Sequence, residues 1–407
     1  MGFFKLTIRD VPIDRNTVLV RADYNVPLNK KGEISDDLRI KASLPTLRYL
    51  LDHHCKVVIT SHLGRPERRD VSQSLAPVAE RLQELLGVPV TFVPDCIGDV
   101  ALQGVKQASA GSVVLLENLR FYKEEEANDE AFAEKLAKAS GARYFVQDGF
   151  GVVHRAHAST DAITHFIPSV AGLLLEKEYI TITSAMEAPQ RPLVAVLGGA
   201  KISDKIQVIE RFVSVADKII IGGAMANTFL AYKGVDTKKS IREPNQDEVL
   251  DRIYAAAAEK VGGAVDDFIV LPSDVAVAKD LSPDNKRQSV ALDAIPDDML
   301  ALDVGDRSIE TIAAAVADAQ TVIWNGTLGY AELPEFAHGS ARLALALATQ
   351  PQTTSIIGGG DTADFVLKWD SQEGRSFSHV STGGGASLEL MSGKKLPGIE
   401  SLLNAHK

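Results

Sequence analysis

The chain of 407 residues contains only two cysteines, Cys55 and Cys96, far apart and without CxxC spacing. That excludes a disulfide framework and a zinc or redox dithiol motif, and it suits a reducing compartment. No apolar run reaches the roughly 18 residues of a membrane span. The opening residues Met1 to Leu6 lack an apolar core of signal-peptide length, and Leu6 stands where a myristoylation pattern needs Ser or Thr. A cytoplasmic protein with no membrane partner is expected. Basic charge is also scarce, with 43 Lys and Arg against 54 Asp and Glu and a net charge of −11. Residues 1–190 carry 22 basic against 25 acidic side chains and residues 191–407 carry 21 against 29. A nucleic-acid partner bound by phosphate neutralisation is therefore excluded, and any anion site must be a local concentration of cations. Short-period repeats and low-complexity tracts are lacking. So are GxGxxG with an acid some 20 residues on, the nicotinamide-dehydrogenase pattern, and GxxxxGK[ST], the P-loop.

What is there is ordinary for a globular chain, 45% apolar and 24% charged, at a length that favours two domains over one core. Apolar runs at Thr17–Ala22, Lys56–Ser61, Ser112–Glu117 and Ala142–Gln147 read as strands. Leu75–Leu86 and Asp129–Ala139 have helical spacing, closed by Gly87 and Gly141. A helix over Leu173–Met186 and a Pro-marked boundary at Pro189 to Pro192 come next. The alternation then resumes, with strands at Leu193–Leu197, Lys218–Ile221, Phe268–Leu271, Thr321–Trp324 and Thr354–Ile357. Helices are expected at Ser203–Ala216, Asp247–Val261, Ser308–Ala319 and Ser340–Thr349, and the acidic run Glu124 to Glu126 reads as a solvated loop. Strand–helix alternation predicts an α/β fold of two doubly wound, Rossmann-like parallel-sheet domains joined by a helix, with a cleft between them.

In such sheets ligands bind outside the carboxyl ends of the strands. In the first half those ends read Arg21-Ala-Asp23-Tyr-Asn25, Ser61-His62-Leu-Gly64-Arg65, Glu117-Asn118-Leu-Arg120 and Asp148-Gly149-Phe-Gly151 leading to His154-Arg155-Ala-His157. Four strand ends carrying arginine, histidine, or both describe a fork-rich site for a small anion such as phosphate or carboxylate. Asp23 and Asn25, two apart on an extended strand, point the same way and can accept from a hydroxyl. In the second half glycine takes those places: Gly198-Gly199, Gly222-Gly223, Asn325-Gly326, Gly358-Gly359-Gly360-Asp361 and Gly383-Gly384-Gly385. Five such ends make a floor of bare backbone for a flat base and a phosphate chain. Lys201 and Lys205 follow the first pair, on one helical face if the helix includes Lys201 and otherwise along the loop and first turn. Asp361 reads as a helix cap or, more in keeping with nucleotide phosphates, as a ligand to Mg2+.

The motifs Arg21-Ala-Asp-Tyr-Asn-Val-Pro-Leu, Ser61-His-Leu-Gly-Arg-Pro, Asp148-Gly-Phe-Gly with His154-Arg-Ala-His, Leu197-Gly-Gly-Ala-Lys with Asp204-Lys205, Gly358-Gly-Gly-Asp-Thr and Ser381-Thr-Gly-Gly-Gly-Ala-Ser together resemble the phosphoglycerate kinase family over essentially the whole chain. The resemblance implies an N-terminal 3-phosphoglycerate domain (1–172), a connecting helix (173–188), a C-terminal nucleotide domain (189–393) and a tail (394–407) packed back on the first domain. It implies that Asp23 and Asn25 hold the glycerate, that Arg65, Arg120 and Arg155 with His62 surround its non-transferring phosphate, and that Arg39 reaches the transferring group. Gly199, Lys201 and Lys205 would face nucleotide phosphates, Gly222 and Gly223 the adenine, Glu332 with Asn325 nearby the ribose, and Asp361 the Mg2+ beside Thr362. The amides of Gly359, Gly360 and Gly384 would meet phosphate oxygens, with Gly360 and Gly384 joining Arg39 and Lys205 as the catalytic set.

Implied partners are 3-phosphoglycerate or 1,3-bisphosphoglycerate and MgADP or MgATP, on a monomer that bends at the connecting helix. Transfer from an acyl phosphate has a carboxylate leaving group, a weak base, so positioning and charge stabilisation suffice without a general base. The chain departs from the family pattern at Gly149, Ala224, Thr327 and Ala331, where alanine, glycine, proline and phenylalanine are usual, and Lys368–Ser378 is longer than expected. A non-catalytic sugar-phosphate binder would share the arginines but would not need Lys205, Asp361 or the glycine floor.

Overall fold

Apolar parallel strands need cover on both faces, and the two parallel sheets here are built from largely buried strands. The computed structural model describes residues 2–405; Met1, His406 and Lys407, included in the expected first domain and tail, lie outside the described residues. The backbone divides into two units, one running to Ile180 and taking in the segment from Lys395, the other Thr181–Lys394.

The first unit holds β1 (Thr17–Arg21), β2 (Lys56–Thr60), β3 (Val90–Val93), β4 (Val113–Leu116), β5 (Tyr144–Gln147) and β6 (Ser169–Ala171). They form one parallel sheet in the order β3-β4-β2-β1-β5-β6. Successive residues divide between its faces. Val18, Val20, Val57, Ile59, Val113 and Leu115 pack against Leu44, Leu47 and Leu50 of helix Leu38–Asp52 and Val78 and Leu82 of helix Ala76–Leu86. Leu19, Val58, Val114, Leu116 and Phe145 pack against Val105 of helix Gly98–Gln107 and Phe132 and Leu136 of helix Glu130–Ser140. Each such side chain contributes about 1.5–3 kcal/mol by leaving water. Helix Glu130–Ser140 starts where Asp129 accepts from the Phe132 N–H at 2.7 Å and stops at Gly141, whose φ of 55° is left-handed.

The second unit holds β7 (Leu193–Leu197), β8 (Lys218–Ile221), β9 (Ile269–Val270), β10 (Asp274–Ala278), β11 (Gln288–Ala291), β12 (Leu300–Val304), β13 (Thr321–Asn325), β14 (Thr354–Gly358) and β15 (His379–Val380). Six of these make a parallel sheet, β15-β14-β13-β7-β8-β9, and β11-β10-β12 make a small antiparallel one. Trp324, wholly buried, anchors one face among Val196, Ile220, Ile312, Leu343 and Val366.

Several expectations change. The helix expected from Ser203 begins at Ile206, because the N–H groups of Ile202 and Ser203 go to the Glu243 carboxylate at 2.8 and 3.1 Å. Lys201 and Lys205 therefore line a loop, not a helical face. The strand expected over Phe268–Leu271 shrinks to Ile269–Val270, since Phe268 closes a short helix. The antiparallel sheet was not expected, and neither was helix Leu38–Asp52, which carries Pro45 inside it.

The segment after Lys395 lies along the first unit. The buried Lys5 ammonium donates to the carbonyls of Glu400 (2.6 Å) and Leu402 (2.9 Å) and to Asn404 Oδ1 (2.8 Å). Leu6 N–H bonds to Leu403 O, and Gly398 N–H to Val153 O.

Candidate active site

In the first unit chain order turns back between β1 and β5, the place where open sheets bind ligands. Asp23 and Asn25 lie just past β1, in backbone that is no longer strand, so their alignment has another source than strand alternation. Asp23 accepts from the Asn25 N–H at 3.2 Å and pairs with Arg39 of helix Leu38–Asp52, while Asn25 Oδ1 accepts from the Gly64 N–H at 2.8 Å. Burial would raise the Asp23 pKa, but the cations around it, Arg39 foremost, hold it down to about 2.

His62 is buried, with Nδ1 3.3 Å from Arg21 Nη2. A guanidinium has no acceptor, so Nδ1 presents its lone pair and the ring proton sits on Nε2. Burial, with Arg21, Arg120 and Arg39 nearby, keeps this imidazole neutral well below the ordinary histidine range. Arg120 donates to Gly64 O at 2.8 Å and pairs with Glu126 at 3.1 Å. Burial weakens its hold on its proton, and Arg155 and Arg65 are among the charges that press the same way, which brings all three arginines into one cluster. Arg65 is exposed, and Arg155 donates from Nε to His154 Nε2 at 3.1 Å.

The acidic run is a solvated loop only in part: Glu126 is exposed and Glu124 partly covered, but Glu125 is not. Glu125 is fully buried, 3.8 Å from the equally buried Arg21, and accepts from the Ser159 N–H (3.0 Å) and hydroxyl (2.5 Å). Arg21 Nε donates to the same Ser159 oxygen at 2.7 Å. Glu125 and Glu126 thus offset part of the cluster's charge from behind, and a lone acid run within reach of many arginines is the signal that could have shown it. Gly149 sits tight: a methyl there would come within 3.1 Å of the Ala22 backbone.

The second unit turns back between β7 and β13. Lys205 lies in that crevice, half-buried, its Nζ donating to Gly198 O at 2.7 Å and Asn325 O at 3.0 Å. Burial pulls its pKa down to about 8, with Asp361 and then Asp204 pulling it back up, so Asp361 is close by. Asp361 is itself exposed in the first turn of helix Gly360–Trp369, and the buried Thr362 hydroxyl accepts from the Gly326 N–H at 2.7 Å. Asn325 is buried beneath Gly358 and Gly359, its Nδ2 without a partner. Lys201 and Glu332 are exposed.

The glycines divide in two. A Cβ at Gly198 would meet Thr327 O at 2.1 Å, at Gly222 the Leu328 side chain at 2.4 Å, and at Gly223 the Gly199 N at 2.6 Å. These glycines are required by contact between neighbouring strand ends. At Gly360 and Gly384 an added Cβ would meet nothing within 4 Å, so that part of the floor is open. Gly326 has φ of 99°, and its Cβ would lie 2.3 Å from the Gly198 backbone. Gly326→Ala is expected to destabilise the chain by about 3 kcal/mol or more in urea unfolding, and a loss under about 1 kcal/mol would refute the close packing.

A family model described as phosphoglycerate kinase matches residues 8–394. The chain is 48% identical over 389 residues to a phosphoglycerate kinase of Rippkaea orientalis, covering 95% of each. It is 48% identical over 395 residues to a chloroplastic phosphoglycerate kinase of Volvox carteri, covering 96% of this chain and 84% of that one. Among solved structures it is similar to the phosphoglycerate kinase of Coxiella burnetii, with TM-score 0.83 and 36% identity, and to that of Pyrococcus horikoshii, with TM-score 0.84 and 32% identity, each covering 98% of both chains.

Proposed function

Since the chain belongs to the phosphoglycerate kinase family, whose members move a phosphoryl group between the carboxylate of 3-phosphoglycerate and ADP, we propose that it holds the acid on its first unit and the nucleotide on its second. Asp23 and Asn25 take the glycerate. Arg65, Arg120 and Arg155 take the non-transferring phosphate, with His62 offering the Nε2 proton. Arg39 meets the group in flight.

On the second unit the observation that carries the reading is Lys205, an ammonium lodged at the switch point between β7 and β13 with Asp361 beside it. Lys205 and Lys201 face the phosphates, and the amides of Gly199, Gly359, Gly360 and Gly384 line their path. The close-packed Gly222 and Gly223 wall the adenine pocket, Asn325 and Glu332 border the ribose, and Thr362 fixes the loop beneath. Among the described residues no cluster of three acidic, histidine or cysteine side chains could hold a metal alone. Mg2+ would be bound mainly by nucleotide phosphates, with Asp361 supplying one hard oxygen. When bound, the ion neutralises phosphate charge.

The groups placed around the transferring phosphoryl are cations and amides, and the carboxylates Asp23, Asp361 and Glu332 are given binding roles, which matches a reaction whose leaving group needs no proton. Because donor and acceptor rest on different units, transfer requires the units to close, with helix Leu173–Glu187 as the bending part. The chain acts as a monomer in a reducing cytoplasm, where Cys55 and Cys96 stay buried thiols. The test is ADP production from ATP, dependent on both 3-phosphoglycerate and Mg2+. Activity without 3-phosphoglycerate, or none with it, would refute the reading.

A further inference from the structure

Helix Leu38–Asp52 carries a polar stripe that is part-exposed at Arg39 and closed to water beyond it. Arg39, Ser43 and Thr46 are spaced i, i+4, i+7 and share one side of the helix, with Ser43 2% and Thr46 0% exposed. Apolar residues could fill those places without desolvating a hydroxyl, so the hydroxyls are explained by what they bond.

At one end Arg39 pairs with Asp23. In the middle Ser43 donates to Ile40 O at 2.8 Å, which makes the Tyr24 hydroxyl the donor in their 2.9 Å contact. Tyr24 stands between Asp23 and Asn25 and is wholly buried. At the other end Thr46 Oγ1 donates to Asp148 Oδ1 at 2.9 Å and accepts from the Leu173 N–H at 3.0 Å. The same Asp148 oxygen accepts from the Leu174 N–H at 3.0 Å. Leu173 and Leu174 open helix Leu173–Glu187, whose first N–H groups have no partner within the helix. Asp148 is held tightly there: a Cβ at Gly172 would lie 2.1 Å from its Oδ1. Its other oxygen is buried without a partner, and burial pushes its pKa up to about 7.

We infer that Thr46 and Tyr24 are positioning residues for the transfer: the stripe Arg39–Ser43–Thr46 carries occupancy of the acid site to the start of helix Leu173–Glu187. An incoming anion competes with Asp23 for Arg39. Any shift of Arg39 acts on the first turn of a packed helix, and that helix moves as a rod. Thr46 passes the movement to the Leu173 N–H directly and to the Leu174 N–H through Asp148, the two groups that set where the next helix begins. This rests on the proposed closure of the two units.

The test uses the full chain and Thr46→Val, which removes the hydroxyl and keeps the volume. Calorimetric affinities for 3-phosphoglycerate and for MgADP are expected within about twofold of wild type, while kcat falls at least about tenfold. Compaction in X-ray scattering with both ligands present is expected in the wild type and lost in the variant, and Thr46→Ser restores both. Tyr24→Phe leaves Ser43 its bond to Ile40 and is expected to give the same split, so it serves if Thr46→Val fails to fold. Wild-type kcat in either folded variant, a parallel loss of 3-phosphoglycerate affinity, failure of Thr46→Ser to rescue, or compaction retained in Thr46→Val would overturn the inference alone. No compaction in the wild type would overturn the closure reading and this inference with it.

Discussion

Lys205→Ala is expected to lower kcat by about a hundredfold or more while the chain still folds. The ammonium sits on two carbonyls at the switch point, so its removal strips the charge proposed to face the phosphates and leaves Gly198 O without that donor, while Asn325 O keeps the Gly198 N–H at 2.9 Å. The loss belongs in kcat more than in KM, because charge on the transferring group peaks in the transition state. Only the protonated amine can serve. With its pKa pulled down to about 8, kcat/KM for the nucleotide should fall as pH rises through that value, before any ordinary lysine titrates. Stability should run the other way. The folded pKa is below the unfolded 10.5, so between pH 8 and 10.5 the unfolded chain binds more protons, and the ligand-free fold gains stability as pH rises through that window. Below pH 8 the penalty for burying the charge is present in full. Thermal melts of wild type and Lys205→Met from pH 7 to 10 should converge with rising pH; parallel curves would contradict the burial, and wild-type turnover in Lys205→Ala would remove its role.

Arg39→Ala is expected to cost about a hundredfold in kcat, with Arg39→Lys restoring little, because a point charge does not reproduce a planar fork. A second readout follows from its partner. Asp23, buried and held down to about 2 against an ordinary 3.8, contributes stability that is present above pH 4 and lost as pH falls through 2. Without Arg39, the foremost of the cations that outweigh burial there, the Asp23 pKa rises and acid unfolding should begin at higher pH. Unchanged turnover together with an unchanged acid midpoint would show that the Arg39–Asp23 pair does neither job.

The parallel sheets were legible because strands covered on both faces must be apolar throughout. The caps at Gly87 and Gly141 were legible because left-handed residues select glycine. Helix Leu38–Asp52 was hidden by Pro45 and by the buried polar stripe, which blurs an amphipathic pattern. Of the antiparallel strands, Gln288–Ala291 is short and partly exposed, so local composition carries little of its pairing. At the site, single residues near strand ends were readable, but the direction of their partners was not. Glu125 looked like one more exposed acid until the fold set it against Arg21. The glycines were read as room for a ligand, yet Gly198, Gly222 and Gly223 are filled by the chain itself.

The clasp between Lys5 and the carbonyls of Glu400 and Leu402 means that the first unit is built from two separate stretches of chain, with the whole of Thr181–Lys394 inserted between them. During synthesis the ribosome therefore delivers all of Thr181–Lys394 before it releases the residues that bond the Lys5 ammonium. The first unit can be completed only after the inserted one has already emerged.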